Sequence, residues 1–309
     1  MVTDVARVYD ALATTARRRR WQRHVLGYVF IAPWLIGFFV FFAGPMLASA
    51  VLAFTNYDIL SPPKFIGLGN FERMIGDELF YAALYNTAYY TFLAVPLQVA
   101  LALLLAVALN IKVRGVNIFR TAFYLPAITP AVASVILWVY IYNPDYGLAN
   151  TALHFFGVKP IGWLWDPIWS KPALIIMSLW TIGTQMVVSL AGLQSVPDVL
   201  LEAASIDGAG RLRRFWHVTV PMVSPVIFFN LVVGIINSFQ VFTAAFIATG
   251  GGPRNTTLFY VLHLYYNGFR DFRMGYASAL AWVLFCIILV FTLIQFWLAQ
   301  RWVHYESPK

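Results

Sequence analysis

Six apolar runs, near residues 25–54, 84–109, 121–142, 173–193, 226–247 and 275–298, contain no Asp, Glu, Lys or Arg. Each is about 20–30 residues long, enough helix to cross a ~30 Å hydrocarbon core. The expected fold class is therefore an all-α integral membrane protein with six transmembrane helices. Composition agrees: only 11% of the 309 residues are charged, against about 25% in soluble domains.

The formal charge of +8 is distributed by side. With a cytoplasmic N-terminus, the inside segments 1–24, 110–120, 194–225 and 299–309 carry 14 of the 21 Lys and Arg but only 6 of the 13 Asp and Glu. The outside segments are balanced. This is the positive-inside asymmetry, so both termini are expected in the cytoplasm, and the basic balance reports topology rather than nucleic-acid binding. The single cysteine, Cys286, excludes a disulfide framework and a multi-cysteine metal site.

The organisation follows: a basic cytoplasmic segment over 1–24, then a six-span unit over 25–309. "ARRRRWQRH" (16–24) followed by apolar residues and "ASA" (48–50) mimics a cleavable signal. The apolar stretch outruns a signal core of roughly 7–15 residues, which predicts an uncleaved first span. Pro33 and Gly44–Pro45 are expected to interrupt that span, Pro96 the second, and Pro126 and Pro130 the third. Trp163, Trp165 and Trp169, in the outer segment 143–172, are expected at the membrane–water interface. The glycine-rich "TGGGPRNTT" (249–257) lacks the Lys and spacing of a phosphate-binding loop.

Ion-coupled carriers place ionisable groups near mid-membrane, and these spans hold none. Nor do they hold a nucleophile–base pair or a metal-ligand set, so neither catalysis nor a metal site is expected. Their polar groups are neutral: Gln98 in the second span; Thr181, Thr184 and Gln185 in the fourth; Asn230, Asn237, Ser238 and Gln240 in the fifth. Asn230 and Asn237 are seven apart and share a helix face within roughly 20°. Such groups serve either as interhelical glue, at ~0.6–2 kcal/mol each, or as a lining for a hydroxyl-rich solute. On the second reading Trp180, Thr184, Gln185, Asn230, Asn237 and Gln240 are the candidate path residues, with Trp180 as a stacking surface.

The inner loop 194–225 is the longest polar interruption on its side. Ser195 and Asp198 suggest a capping-box-like start and Pro197 a first helical turn. Gly208 and Gly210 mark a stop and a sharp turn. Small Ala203, Ala204 and Ala209 leave a slim knob lying on the cytoplasmic face. "EAASIDGAGRLRRFWHVTVPMVSP" (202–225) resembles the EAA loop of permease subunits in binding-protein-dependent ATP-binding-cassette importers. The pattern is met by Glu202, Ala203, Ala204, Asp207, Gly208, Ala209, Phe215, Val218, Val220, Pro221 and Pro225. Residues 123–144, 251–269 and 274–282 extend the similarity to the sugar and glycerol-phosphate branch.

The resemblance implies that the loop's first helix is a coupling helix docking in a separate ATPase subunit. Glu202 would make polar contact there, Ala203 and Ala204 would fit its groove, and Asp207 and Gly208 would hold the turn. It also implies a second permease subunit, two ATP-binding subunits, an external solute-binding protein and a carbohydrate solute. Mg-ATP would bind the partner ATPase, with no cofactor on this chain. The location implied is a prokaryotic cytoplasmic membrane. The competing readings are a stand-alone secondary carrier or channel, distinguished by its energy source, and a membrane scaffold or enzyme subunit in which the polar groups of spans four and five are only glue.

Overall fold

The computed structural model of the chain describes Trp21 and residues 26–111 and 113–304. Apart from Trp21, the basic N-terminal segment 1–24 lies outside the described residues, as do 305–309. Three helices are long and apolar enough to cross a membrane alone: α1 (Leu26–Leu52), α3 (Glu78–Leu109) and α14 (Met274–Ala299). Three further crossings are bent pairs. These are α4 (Val116–Ile128) with α5 (Ala131–Ile141), bent by 99°; α7 (Ser170–Leu179) with α8 (Gly183–Gln194), by 48°; and α10 (Arg211–Met222) with α11 (Ser224–Phe239), by 65°. Shorter helices α2 (Gly69–Ile75), α6 (Leu148–Phe155), α9 (Asp198–Ile206), α12 (Thr243–Ala248) and α13 (Tyr260–Tyr265) sit in the connections. The one sheet among the described residues is a two-residue antiparallel hairpin, Thr55–Asn56 with Lys64–Phe65.

The helices outrun the apolar stretches, because a helix continues past the hydrocarbon where polar residues are tolerated. Glu78, Arg120 and Lys171 thus fall within helices, near their ends. The fifth apolar run, 226–247, is two elements: α11 ends at Phe239, and α12 packs instead against α5. The prolines also divide differently from expectation. Pro33, Pro45 and Pro96 ride inside continuous helices, and only Thr129–Pro130 breaks one of the spans expected to break. A π-helical turn, Phe39–Ala43, widens α1 just before Gly44–Pro45, so the missing Pro45 donor is absorbed without a break. Pro96 lies on an exposed face of α3, so its ring does not disturb the packed side. The fourth span breaks at 180–182 with no proline at all.

α3 is the central post, packing against α7, α8, α11 and α13. Its Ala94, Ala102 and Ala106 are fully buried, and small residues of this kind let backbones approach closely where no hydrophobic drive separates helix from lipid. Glycines do the same: a Cβ on Gly192 of α8 would lie 2.6 Å from Val226 Cγ2 of α11.

The segments assigned to the outer side do meet. Asn86 Nδ2, near the start of α3, donates to the carbonyls of Asn255 and Leu258 at 2.7 and 3.1 Å. The Ser170 and Thr256 hydroxyls are 2.9 Å apart. On the opposite side, the His304 N–H donates to Ser224 Oγ at 2.9 Å. Trp163 departs from expectation. It is buried, stacked on Tyr142 at 5.1 Å, and donates to Asn150 Oδ1 at 3.0 Å. It is a core residue of the outer cap, whereas Trp165 and Trp169 are exposed.

Candidate translocation cavity and coupling loop

A cavity of about 450 Å³ opens between α3, the α7–α8 break and α11, with Ala127 of α4 at its edge. The break at 180–182 makes its polar wall. α7 stops after Leu179, so Ser178, Thr181, Thr184 and Gln185, which straddle two helices, all reach one space. Gly183 permits the geometry, since an added Cβ there would lie 2.5 Å from the Phe123 carbonyl oxygen. Opposite, Asn230, Asn237 and Ser238 of α11 line the cavity, and Tyr90 and Gln98 of α3 join them. Among the described residues, no Asp, Glu, Lys, Arg or His lines it.

Hydrogen bonds separate anchored groups from available ones. Gln98 Nε2 donates to Ser178 Oγ at 2.8 Å, and Ser178 Oγ to the Ile175 carbonyl at 2.6 Å. Asn230, buried, donates to Ser189 Oγ at 3.1 Å and to the Gln185 carbonyl at 3.4 Å. These bonds tie α3 to α7 and α11 to α8. Gln185 Oε1 and Ser238 Oγ are buried without a hydrogen-bond partner among the described residues. Asn237 is exposed to the cavity.

Of the six path candidates, Thr184, Gln185, Asn230 and Asn237 come together here. Trp180 and Gln240 do not line the cavity. The chain turns where α7 ends, which sets the Trp180 ring edge-on to Trp138 at 6.1 Å. Gln240 is the exposed C-cap of α11. Tyr90 and Ser178 are the polar lining residues that sequence reasoning missed. One falls in an aromatic-rich stretch and the other in an apolar run, and neither position carries a periodic signal toward the cavity.

The cytoplasmic loop is a helix, a glycine turn and a second helix. Ser195 does not cap α9: it ends α8, its hydroxyl donating to the Gly192 carbonyl at 2.8 Å, and Pro197 is the N-cap of α9. Capping at the other end follows a Schellman pattern. Gly208 adopts φ +77°, its N–H donates to the Ser205 carbonyl at 3.1 Å, and the Ala209 N–H donates to the Ala204 carbonyl at 2.9 Å. Arg214 Nη1 then donates to Ser205 Oγ, fixing α10 against α9. The result is an α9 whose outward surface is open among the described residues: Glu202, Ala203, Asp207 and Gly208 are exposed, with Val199 and Ile206 72% and 86% exposed. Ala204, Ala209 and Pro221 are half-buried.

The family model described as the binding-protein-dependent transport system inner membrane component matches residues 98–304. The probable ABC transporter permease protein YesP of Bacillus subtilis is 45% identical over 93% of this chain and 94% of its own length. The lactose transport system permease protein LacF of Rhizobium radiobacter is 36% identical over 94% of this chain and 99% of its own. A chain in the crystal structure of a bacterial ABC transporter involved in the import of the acidic polysaccharide alginate superposes with a TM-score of 0.81 at 26% identity, covering 92% of this chain and 99% of that one. With a family model over more than half its length, and relatives matched nearly end to end, the chain belongs to the inner membrane components of binding-protein-dependent transport systems and is a multi-pass permease subunit of an ABC importer in the prokaryotic cytoplasmic membrane.

Proposed function

We propose that this subunit contributes to the passage for a neutral carbohydrate, a mono- or oligosaccharide or related polyol, and receives its motion from a separate ATPase through α9. The carrying observation is the cavity, whose hydrogen-bonding walls hold nine polar side chains and no ionised group. A sugar hydroxyl both donates and accepts, which suits amides and hydroxyls at a volume within the ~300–1,000 Å³ of small-ligand sites. A phosphorylated solute would bring two negative charges to walls without a cation. Among relatives, the names lactose, arabinooligosaccharides and trehalose/maltose permease support the same class. Relatives named for sn-glycerol-3-phosphate mark the alternative that the uncharged lining disfavours.

For coupling, the support is the exposed, apolar, glycine-stopped α9. Glu202 would face a polar group of the ATPase, Ala203 and Ala204 would enter its groove, and Asp207, Gly208, Ala209 and Pro221 would hold the knob's shape. The assembly we infer adds a second permease subunit, two ATP-binding subunits carrying Mg-ATP and an external solute-binding protein. The chain itself would carry no cofactor. The test is reconstitution of the whole complex. Glu202→Lys and Gly208→Trp are expected to abolish solute-stimulated ATP hydrolysis, and Gln185→Ala or Asn237→Ala to alter sugar selectivity. Stimulated hydrolysis at wild-type level in the loop variants refutes the coupling role. Unchanged selectivity in the cavity variants refutes the lining.

A further inference from the structure

A second cavity, about 430 Å³, lies on the outer face between α2, the start of α3, the loop before α13 and the turn before α14. Its charged lining residues are Arg73, Arg270, Arg273, Asp77 and Asp271, with His263 beside them. Both carboxylates are already engaged. Asp77 Oδ1 accepts the Leu79 N–H at 2.9 Å, and Oδ2 accepts the Tyr276 hydroxyl at 2.8 Å and sits 3.2 Å from His263 Nε2. Asp271 is paired with Arg270 at 2.9 Å. Arg73 lies over the Tyr276 ring at 4.9 Å, and neither it nor Arg273 forms an ion pair among the described residues.

The turn carrying Arg273 is held in an unusual shape. Phe272 has φ +56°, a region that bulky residues rarely occupy. The turn is fixed by the Asp271 N–H donating to the Tyr266 carbonyl at 2.9 Å and the Arg273 N–H to the Asn267 carbonyl at 2.7 Å. Phe272 and Phe269, the chain neighbours of Arg273 and Arg270, are left more than half exposed. Unpaired arginines in a cavity flanked by exposed aromatics have the composition of a protein-binding hot spot. Strain held in a displayed turn points the same way.

We infer that this cavity is a socket for a carboxylate side chain of the external solute-binding protein, gripped by Arg73 and Arg273, with the exposed Phe269 and Phe272 on the same stretch of chain adding apolar contact. The choice of occupant rests on charge complementarity and on the importer reading above, which supplies a protein partner on this face. The socket gives the outer face a fixed docking register, set by Asp77–His263–Tyr276 behind it, and the attraction is expected to be screened by salt.

The experiment titrates the solute-loaded binding protein of the same transporter against the complete complex in nanodiscs, reading stimulated ATP hydrolysis. Arg73→Gln and Arg273→Gln are each expected to raise the half-saturating concentration of binding protein by about tenfold. They are also expected to flatten its dependence on ionic strength, leaving the maximal rate unchanged. Arg73→Lys and Arg273→Lys, which retain charge, are expected to recover most of the affinity, separating docking from a folding defect. Wild-type half-saturation and salt dependence in both glutamine variants overturn the socket. Failure of the binding protein to stimulate even the unaltered complex overturns the importer coupling reading instead.

Discussion

Gly183→Ala isolates the contact that shapes the cavity. An added Cβ would stand 2.5 Å from the Phe123 carbonyl oxygen and 2.8 Å from Tyr124 Cα, where ordinary contact begins at 3.4 Å. The first gap must open by about 0.9 Å, and both obstructing atoms are backbone, so no rotamer change relieves them. Overpacking costs roughly 1–3 kcal/mol, and a clash against a packed helix belongs at the upper end, about 3 kcal/mol. Relief requires α8 to move away from α4, which shifts Thr184 and Gln185 on the cavity wall. The assay is thermal unfolding of the purified complex in nanodiscs alongside solute uptake, with Gly210→Ala as control, since nothing lies within 4 Å of a Cβ there. The expected result is a marked loss of stability and uptake in Gly183→Ala only. Stability within ~0.5 kcal/mol of wild type and normal uptake would refute the reasoning.

Gly208→Ala places a Cβ at φ +77° in open space, so it should cost about 1 kcal/mol locally. Amide exchange should accelerate in α9, while the global melting midpoint stays put; unchanged exchange would count against the glycine stop. Asn150→Leu removes an amide that donates to the Pro144 and Ile161 carbonyls and accepts from the Ile161 N–H and Trp163 Nε1. Groups left unpaired cost ~1–3 kcal/mol each, so a loss of about 3 kcal/mol with red-shifted Trp163 emission is expected, and an unaltered spectrum would contradict it. Burial lowers the His263 pKa below its ordinary 6.5 even beside Asp77, so the unfolded chain takes up the proton first. Stability from this residue is then complete above about pH 6.5 and falls as pH drops toward the depressed folded value. Asp77 is also depressed: burial would raise it, but the Tyr276 hydroxyl, the His263 charge and backbone N–H groups outweigh that. Its contribution is lost only in a more acid window, as pH falls through its own folded value. The melting midpoint of wild type should therefore drop more steeply from pH 7.5 to 5.5 than that of His263→Gln, and parallel slopes would refute the assignment.

Some of the site was legible before folding and some was not. Gly208 was legible because a small residue after an amphipathic run serves as a left-handed stop regardless of what surrounds it. Thr184, Gln185, Asn230 and Asn237 were legible as neutral polar residues in lipid-length helices, where any such residue needs a reason. Their separate functions were not. Asn230 is bonded into α8 while Asn237 faces open space, and that distinction depends on the rotation of α11 against its neighbours. Trp180 lies outside the cavity lining because α7 ends one residue earlier, at a break that no proline announces.

What the sequence by itself determined is the membrane class, six crossings, their sidedness and the glycine-stopped inner helix. Apolar length, Lys/Arg asymmetry and turn preference act along the chain and need no partner. Only the tertiary structure decided where helices break, which prolines matter, that Trp163 is core, and that Asp77 meets His263 from 186 positions away. Those outcomes depend on which backbones can approach, a matter of glycines and alanines on different helices fitting together, and no local pattern encodes that fit.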